Sequence, residues 1–312
     1  MPHVSVIVPI FNTERLIPKC LNSILGQSMP DIEVICVDDC SSDSSAQVVR
    51  SFARTDSRIR LIRHSTNLGC GGARNSGIQS ARGEYVAFVD SDDYVDPSFL
   101  EFLYQATDSG RIDIAACGYR VYDDNGLTEW DFSPEDKVVD NLVKKSMMWG
   151  VTPPHFCDKI WRKSLFADNG ILFPTNSYWE DVSTTPMLLY YAKNIRCGRQ
   201  ILYHYFNRSG SITNTGGKKH LIDLLLAIDG IKDFMIEKGL YQAEAKEFTR
   251  FYEDLFEFHA RKLRKNGMAN EKDTKKFLRL ISLIKQGYSN LDDGLRGSAG
   301  MDSAKLTGQN SG

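Results

Sequence analysis

The sequence predicts an α/β protein: a mostly parallel, twisted sheet with helices on both faces, plus a C-terminal helical extension. Three observations predict it. Apolar runs of strand length alternate with segments of helical periodicity through the first third of the chain. Polar and acidic clusters follow those runs, where the carboxyl ends of parallel strands gather. Beyond about residue 216, the apolar spacing is helical and charge is abundant.

The elements follow in order. Val4 to Ile10 reads as a buried strand, and Thr13 to Leu25 as the helix after it. Ile32 to Val37 is a second strand, followed by a helical pattern from Asp43 to Arg54. Ile59 to Arg63 mixes apolar and charged residues as a third strand, and Gly71 to Ala81 is helical. Tyr85 to Val89 returns to an apolar run, then a helix covers Pro97 to Thr107. This order argues for a mostly parallel, twisted sheet covered by helices on both faces. The loops that end the strands are Phe11-Asn12-Thr13, Asp38 to Asp43, and Asp90 to Asp93. They converge on one crevice.

Asp90-Ser91-Asp92-Asp93 carries the most chemistry. Carboxylates this close repel one another, and hard oxygen ligands on a short turn suit Mg²⁺ or Mn²⁺ bridged to a substrate's phosphates. The competing reading is an acidic loop with Asp96 capping a helix that starts at Pro97. Asp39, just past the second strand, is placed to accept a hydrogen bond from an N–H on a base edge, or to make an Asx-turn that Asp38 or Asp43 could make instead. Gly69-Cys70-Gly71-Gly72 fails as a dinucleotide fingerprint: Arg74 occupies the final glycine position, and the loop follows the third strand rather than the first. The glycines instead allow a ligand or a neighbouring helix to approach the backbone.

Composition narrows the function. With 42% hydrophobic and 25% charged residues, the 312-residue chain is ordinary for a globular protein. A net charge of −2 gives no electrostatic reason to expect nucleic acid as a partner. No apolar run approaches the ~20 residues of a membrane span, and no secretory leader is apparent, so a cytoplasmic location is expected. Seven scattered cysteines without a C-x-x-C pair read as reduced thiols rather than a zinc site.

Five motifs in register extend this reading: V-S-V-I-V-P-I-F-N, V-D-D-C-S-S-D, N-L-G-C-G-G-A-R-N-S-G, Y-V-A-F-V-D-S-D-D and W-E-D. Their order and spacing resemble the family-2 inverting nucleotide-sugar glycosyltransferases, which have the A-type glycosyltransferase fold. The resemblance covers residues 1–215, with 1–110 as the nucleotide-binding part and 111–215 as the acceptor part. Residues 216–290 are expected to form a helical extension and 291–312 a disordered tail.

The resemblance implies that Asp39 reads the imide of uracil, and that Pro9, Phe11, Asn12 and Glu14 form the first nucleotide-contacting loop. Phe11 could equally be core. Arg74 is expected to reach the nucleotide or to make a surface ion pair. Asp92 matches the metal-binding carboxylate, Asp90 a residue near the ribose or metal shell, and Ser91 between them is expected to contact the donor; Asp93 is expected only to cap the next helix. In Trp179-Glu180-Asp181, the aspartate is implied to be the base that activates the acceptor hydroxyl, with Glu180 in the acceptor site. An acidic helix start is the alternative.

Cys157 to Phe166 resembles the family's N-K-L-Y-R-x-S-L-F segment, with Asp158 and Trp161 substituted. Trp161 and Trp179 are either acceptor-stacking rings or core. Leu202 to Ile212 resembles the segment that closes over the donor phosphates, where His204 would complete the metal shell, or be structural, and Arg208 would bind the diphosphate.

The expectation is a transferase of cell-surface polysaccharide synthesis that moves a sugar from a UDP-sugar to a glycan or lipid-linked glycan, with Mn²⁺ or Mg²⁺. The helix Phe277 to Lys285, behind Lys275 and Lys276, could lie on an anionic membrane surface at the inner face or pack against protein. A metal-dependent nucleotidyltransferase or phosphohydrolase is the alternative enzyme, although the first strand ends in Pro-Ile-Phe-Asn without an aspartyl nucleophile. A non-catalytic sugar-nucleotide-binding protein is the other.

Overall fold

A computed structural model describes residues 1–139, 154–208 and 218–265. The expected amphipathic helix at 277–285, the tail at 291–312 and residues 209–212 of the phosphate-closing segment lie outside them. The chain separates into two compact units, Met1–Ser211 and Ile212–Gly312.

The first unit is built on one ten-stranded sheet. Its first half is β1 (Val4–Ile10), α1 (Ile17–Leu25), β2 (Ile32–Asp38), α2 (Ser45–Thr55), β3 (Ile59–Arg63), α3 (Gly69–Ser80) and β4 (Tyr85–Phe88). Strands β3, β2, β1 and β4 lie side by side and all run parallel. Side chains along β1 alternate faces: Val4, Val6, Val8 and Ile10 join one apolar core, while Ile7 joins a second on the other side. Helices cover both faces, so β1 and β2 are buried throughout, as continuous apolar runs require. Helix α3 lies especially close to β1, since a Cβ at Gly77 would come within 2.4 Å of the Ile7 side chain.

Beyond β4 the sheet is mixed. The elements are β5 (Tyr94–Val95), α4 (Phe99–Ala106), β6 (Ile114–Tyr122), β7 (Thr128–Phe132), β8 (Lys137–Val139), β9 (Lys159–Arg162), α5 (Ser164–Ala167), α6 (Glu180–Tyr191) and β10 (Ile195–Phe206). Strand β9 inserts antiparallel between β4 and β6, and β10 then pairs parallel with β6. Arg162 at the end of β9 ties both neighbours, donating to Asp113 Oδ1 (2.7 Å), Glu84 Oε1 (2.5 Å) and the Tyr85 hydroxyl (2.7 Å). The parallel expectation therefore holds for the first half, and β9 brings the later segments against the parallel strands.

The second unit contains α7 (Lys218–Glu237) and α8 (Tyr241–Lys265). No helix among the described residues is long and apolar enough to cross a membrane.

One buried carboxylate pins the amino-terminal edge of the sheet. Glu33, 2% exposed, accepts from the Ser5 hydroxyl (2.7 Å), the Arg82 backbone N–H (2.7 Å) and the Arg60 guanidinium (3.2 Å). Burial alone would raise its pKa, but the Ser5 and Arg82 hydrogen bonds outweigh it and hold the value below the ordinary one. A lowered folded-state pKa gives stability that is present above the unfolded value and lost as pH falls through the folded one. Glu33→Ala should therefore destabilise the protein by about 1–3 kcal/mol near pH 7, the cost of leaving the Ser5 hydroxyl and the Arg82 N–H without their acceptor. In urea unfolding the gap to wild type should narrow at about pH 3; an equal gap at both would exclude the charge as its source.

Candidate active site

The loops at the carboxyl ends of β1 and β2 brace each other. Asn12 takes a left-handed backbone conformation (φ 51°) and its Oδ1 accepts from the Ser42 N–H (2.8 Å) and hydroxyl (3.2 Å). Glu14 accepts from the Ser44 N–H (2.8 Å), and its own N–H donates to Asp43 Oδ2 (3.1 Å). Asp43 also caps Ser45 N–H at 2.9 Å, so Asp43 makes the Asx-turn. Asn12 and Glu14, expected to contact nucleotide, thus spend their side chains on loop geometry. Pro9 is buried in β1 opposite Val37, whereas Phe11 is 47% exposed and not core.

Asp39 is also engaged within the protein. Its side chain is 4% exposed, its Oδ1 lies 2.6 Å from His64 Nδ1, and Leu68 N–H (2.9 Å) and Gly69 N–H (2.8 Å) donate to its carboxylate. Those amides begin α3, where the dipole favours an anion. The glycine turn meets protein: a Cβ on Gly71 would fall 2.2 Å from the Pro174 carbonyl oxygen, and Leu68 C=O accepts from Asn176 N–H at 2.9 Å.

The acidic turn after β4 is shaped from β10. The Tyr203 hydroxyl donates to Asp93 Oδ2 (2.6 Å) and accepts from Asp90 N–H (3.2 Å), while Phe206 N–H donates to Asp93 Oδ1 (2.8 Å). Asp93 is therefore a buried anchor and not the cap of α4, whose preceding residue is Ser98. Burial, with Asp92 and Asp90 nearby, raises its pKa well above the carboxylate range. Ser91 bonds Thr13 Oγ1 at 2.9 Å, tying this turn to the first loop. Asp90 and Asp92 keep 28% and 21% of their side chains exposed. Arg208 donates to Asp92 Oδ2 through Nη2 (2.6 Å) and Nε (3.0 Å).

Helix α6 presents the remaining carboxylates in its first turn. Glu180 Oε1 accepts from Arg74 Nη1 at 2.6 Å, and Arg74 Nη2 donates to Asp90 Oδ1 at 3.2 Å. Burial pushes Glu180 up to about 7, with Arg74 opposing the rise. Asp181 keeps 24% of its side chain exposed, and its Oδ2 lies 3.8 Å from His155 Nδ1. Burial raises its pKa, but His155, Arg74 and the Val182 N–H together bring it below the ordinary value, so the carboxylate is ionised at neutral pH.

The structure therefore brings Asp90, Arg74, Glu180 and Asp181 together, and Arg208, just after β10, reaches Asp92 on the same acidic turn. It disperses others. Arg74, expected to reach the nucleotide, is 5% exposed and holds two carboxylates. Trp161 is fully buried, its ring 4.6 Å from that of Phe156, so it cannot stack on an acceptor. Trp179, 8% exposed before α6, offers little ring face. His204 fits a metal shell poorly: its Nδ1 faces the Tyr122 hydroxyl (3.0 Å), its Nε2 faces Asp96 (3.4 Å), and its ring stacks on Tyr94. Sequence reading missed His155, His64 and Tyr203, because their partners are remote in sequence and they stand outside the acidic motifs.

Among the described residues, no cluster of three His, Cys, Asp or Glu side chains is placed to hold a metal ion. Asp92, the carboxylate expected to bind the metal, is paired in this structure with the Arg208 guanidinium.

Comparison with known proteins agrees with this geometry. A family model described as glycosyl transferase family 2 matches residues 5–169. The putative glycosyltransferase EpsH of Bacillus subtilis (strain 168) is 30% identical over 257 residues, covering 80% of this chain and 74% of that protein. The poly(ribitol-phosphate) beta-N-acetylglucosaminyltransferase TarS of Staphylococcus aureus (strain Mu50 / ATCC 700699) is 33% identical over 177 residues, 56% of this chain and only 30% of TarS. The crystal structure of S. aureus TarS 1-349 in complex with UDP-GlcNAc matches with a TM-score of 0.63 at 22% identity, over 96% of this chain and 92% of that one. The mannosyltransferase PcManGT from Pyrobaculum calidifontis, in complex with GDP-Man and Mn²⁺, matches with a TM-score of 0.56 at 18% identity, over 99% and 88%. These two likenesses show the fold, and the family model together with EpsH shows the family. The chain belongs to glycosyl transferase family 2 and is a glycosyltransferase.

Proposed function

We propose that this chain transfers a sugar from a UDP-sugar to a hydroxyl of a cell-surface glycan or polyol-phosphate polymer, by single displacement with inversion. The observation that carries the reading is Asp181: an ionised, part-exposed carboxylate at the start of α6, linked through Glu180 and Arg74 to the acidic turn after β4. TarS, named for β-linked N-acetylglucosaminyl transfer to poly(ribitol-phosphate) and solved with UDP-GlcNAc, supports the donor and acceptor classes.

In this reading Asp181 accepts the acceptor hydroxyl's proton as its oxygen attacks the anomeric carbon, and the bond from that carbon to the diphosphate oxygen breaks. Arg208, which donates to Asp92, would bind the diphosphate in this reading. Mn²⁺ or Mg²⁺ at Asp92 would supply charge that offsets the departing diphosphate. One base suffices, because no covalent sugar intermediate is formed.

The deciding experiment is Asp181→Asn, which keeps shape and removes the proton-accepting charge. With a panel of nucleotide sugars, kcat for the best donor should fall by about 10²–10⁴-fold while UDP affinity changes little. Near-wild-type transfer by this variant would remove Asp181 as base, and an α-linked product from an α-linked donor would remove inversion.

Two measurements test the donor side. Calorimetry should show UDP binding at least roughly tenfold tighter than GDP; equal or reversed affinities would remove the uridine assignment. Asp92→Asn should weaken Mn²⁺-dependent UDP binding and abolish turnover, since a charged ligand leaves a small oxygen shell. Full activity of that variant with chelator present would show that the site works without metal.

A further inference from the structure

We propose that Arg74 is a positioning residue, which clamps the helix carrying the base to the acidic turn instead of binding nucleotide. The inference rests on the reading of Asp181 as base. Arg74 lies within α3, 5% exposed, and its two terminal nitrogens serve different elements. Nη1 reaches Glu180 on α6, 106 residues away, and Nη2 reaches Asp90, 16 residues away after β4. The guanidinium carbon sits 5.5–5.9 Å from the ring centroids of Phe173, Phe88 and Phe156, three apolar faces that limit where the group can go.

The covalent chain makes this a constraint on the base. Glu180 and Asp181 are consecutive at the start of α6, so a fixed Glu180 side chain fixes the backbone from which Asp181 projects. Asp181's own contacts hold it less firmly: its Oδ1 accepts from the adjacent Val182 N–H (2.7 Å), and His155 lies 3.8 Å away with 44% of its side chain exposed. The buried tether across the site is therefore Arg74–Glu180. Only a forked, permanently charged group meets both carboxylates at once; a lysine ammonium presents one point and would serve one of them.

The clamp also fits the site's charge. Asp90 and Glu180 are both raised in pKa, chiefly by burial, and Arg74 opposes the rise at each. Both terminal nitrogens of Arg74 are taken by carboxylates, and the Nε left without a hydrogen-bond partner is buried. The value of Arg74 to catalysis is alignment, where displacements near 1 Å cost roughly 10²-fold in rate.

The test uses the full chain with Arg74→Lys, Glu180→Gln, Asp181→Asn and the double variant Arg74→Lys/Asp181→Asn. UDP affinity is measured by calorimetry with Mn²⁺, and kcat with the fastest UDP-sugar of the donor panel. Arg74→Lys should lower kcat by roughly 30- to 100-fold while UDP affinity stays within about threefold. Glu180→Gln, which loosens the same tether from its other end, should do likewise and keeps the inference testable if the lysine variant does not fold. In the Asp181→Asn background, Arg74→Lys should cost little more, because a residue acting through the base has nothing left to position.

A loss of UDP affinity of tenfold or more with kcat preserved would make Arg74 a nucleotide ligand and overturn the clamp. Full additivity of the two losses would overturn it as well. An Asp181→Asn variant as active as wild type would instead remove the base assignment, whatever Arg74 does.

Discussion

The crowding of carboxylates at one edge of the sheet is the constraint on which this site depends. Asp90, Asp92 and Asp93 share a four-residue turn, and Glu180 and Asp181 are brought to it from a distant helix. In a partly dry crevice such charges raise one another's pKa, and the first to suffer would be the base. The protein answers with two guanidinium groups of different exposure. Arg74 is enclosed by three aromatic rings and holds Asp90 and Glu180, whereas Arg208, 29% exposed, holds Asp92. Asp93, the most buried of the three aspartates in the turn, is held by the Tyr203 hydroxyl and the Phe206 N–H.

That balance requires loops that do not move, and hydrogen bonds supply the rigidity. The first two strand-end loops are laced by Asn12, Glu14, Ser41 and Asp43, and Ser91 ties the acidic turn to Thr13. Asp39 gathers the amides that start α3, which is the helix carrying Arg74. The close seat of α3 on β1, possible because position 77 has no Cβ, then sets the depth of the guanidinium. A chain of packing thus runs from the apolar core to the charge that holds the base helix.

The alternation of strands and helices was legible because burial on both faces of a parallel sheet leaves a continuous apolar run in each strand. The position of the crevice was legible for a related reason: the polar clusters all follow strands. Partners were not legible. Asn12 and Glu14 look like ligand-contacting residues from their place after β1, and in the structure their side chains accept from the amides of the neighbouring loop. Trp161 and Trp179 have the chemistry to stack on sugars, but β9 lies between two strands and Trp179 packs inward ahead of α6, so both rings are buried. His204 sits in an aromatic strand whose pairing with β5 brings it against Tyr94 and Asp96.

The sequence by itself determined the first four strands, where they end, and which residues carry charge at those ends, since periodicity and turn chemistry act over a few neighbouring positions; the six later strands were not legible in it. Tertiary structure alone decided which of those charges are paired. Arg74 and Glu180 stand 106 residues apart and meet only because β9 and α6 fold back against the parallel half of the sheet. Whether a carboxylate is a brace, an anchor or a base depends on what lies within about 3 Å of its oxygens and how much water remains there. That distance is set by packing between remote segments, and local sequence does not encode it.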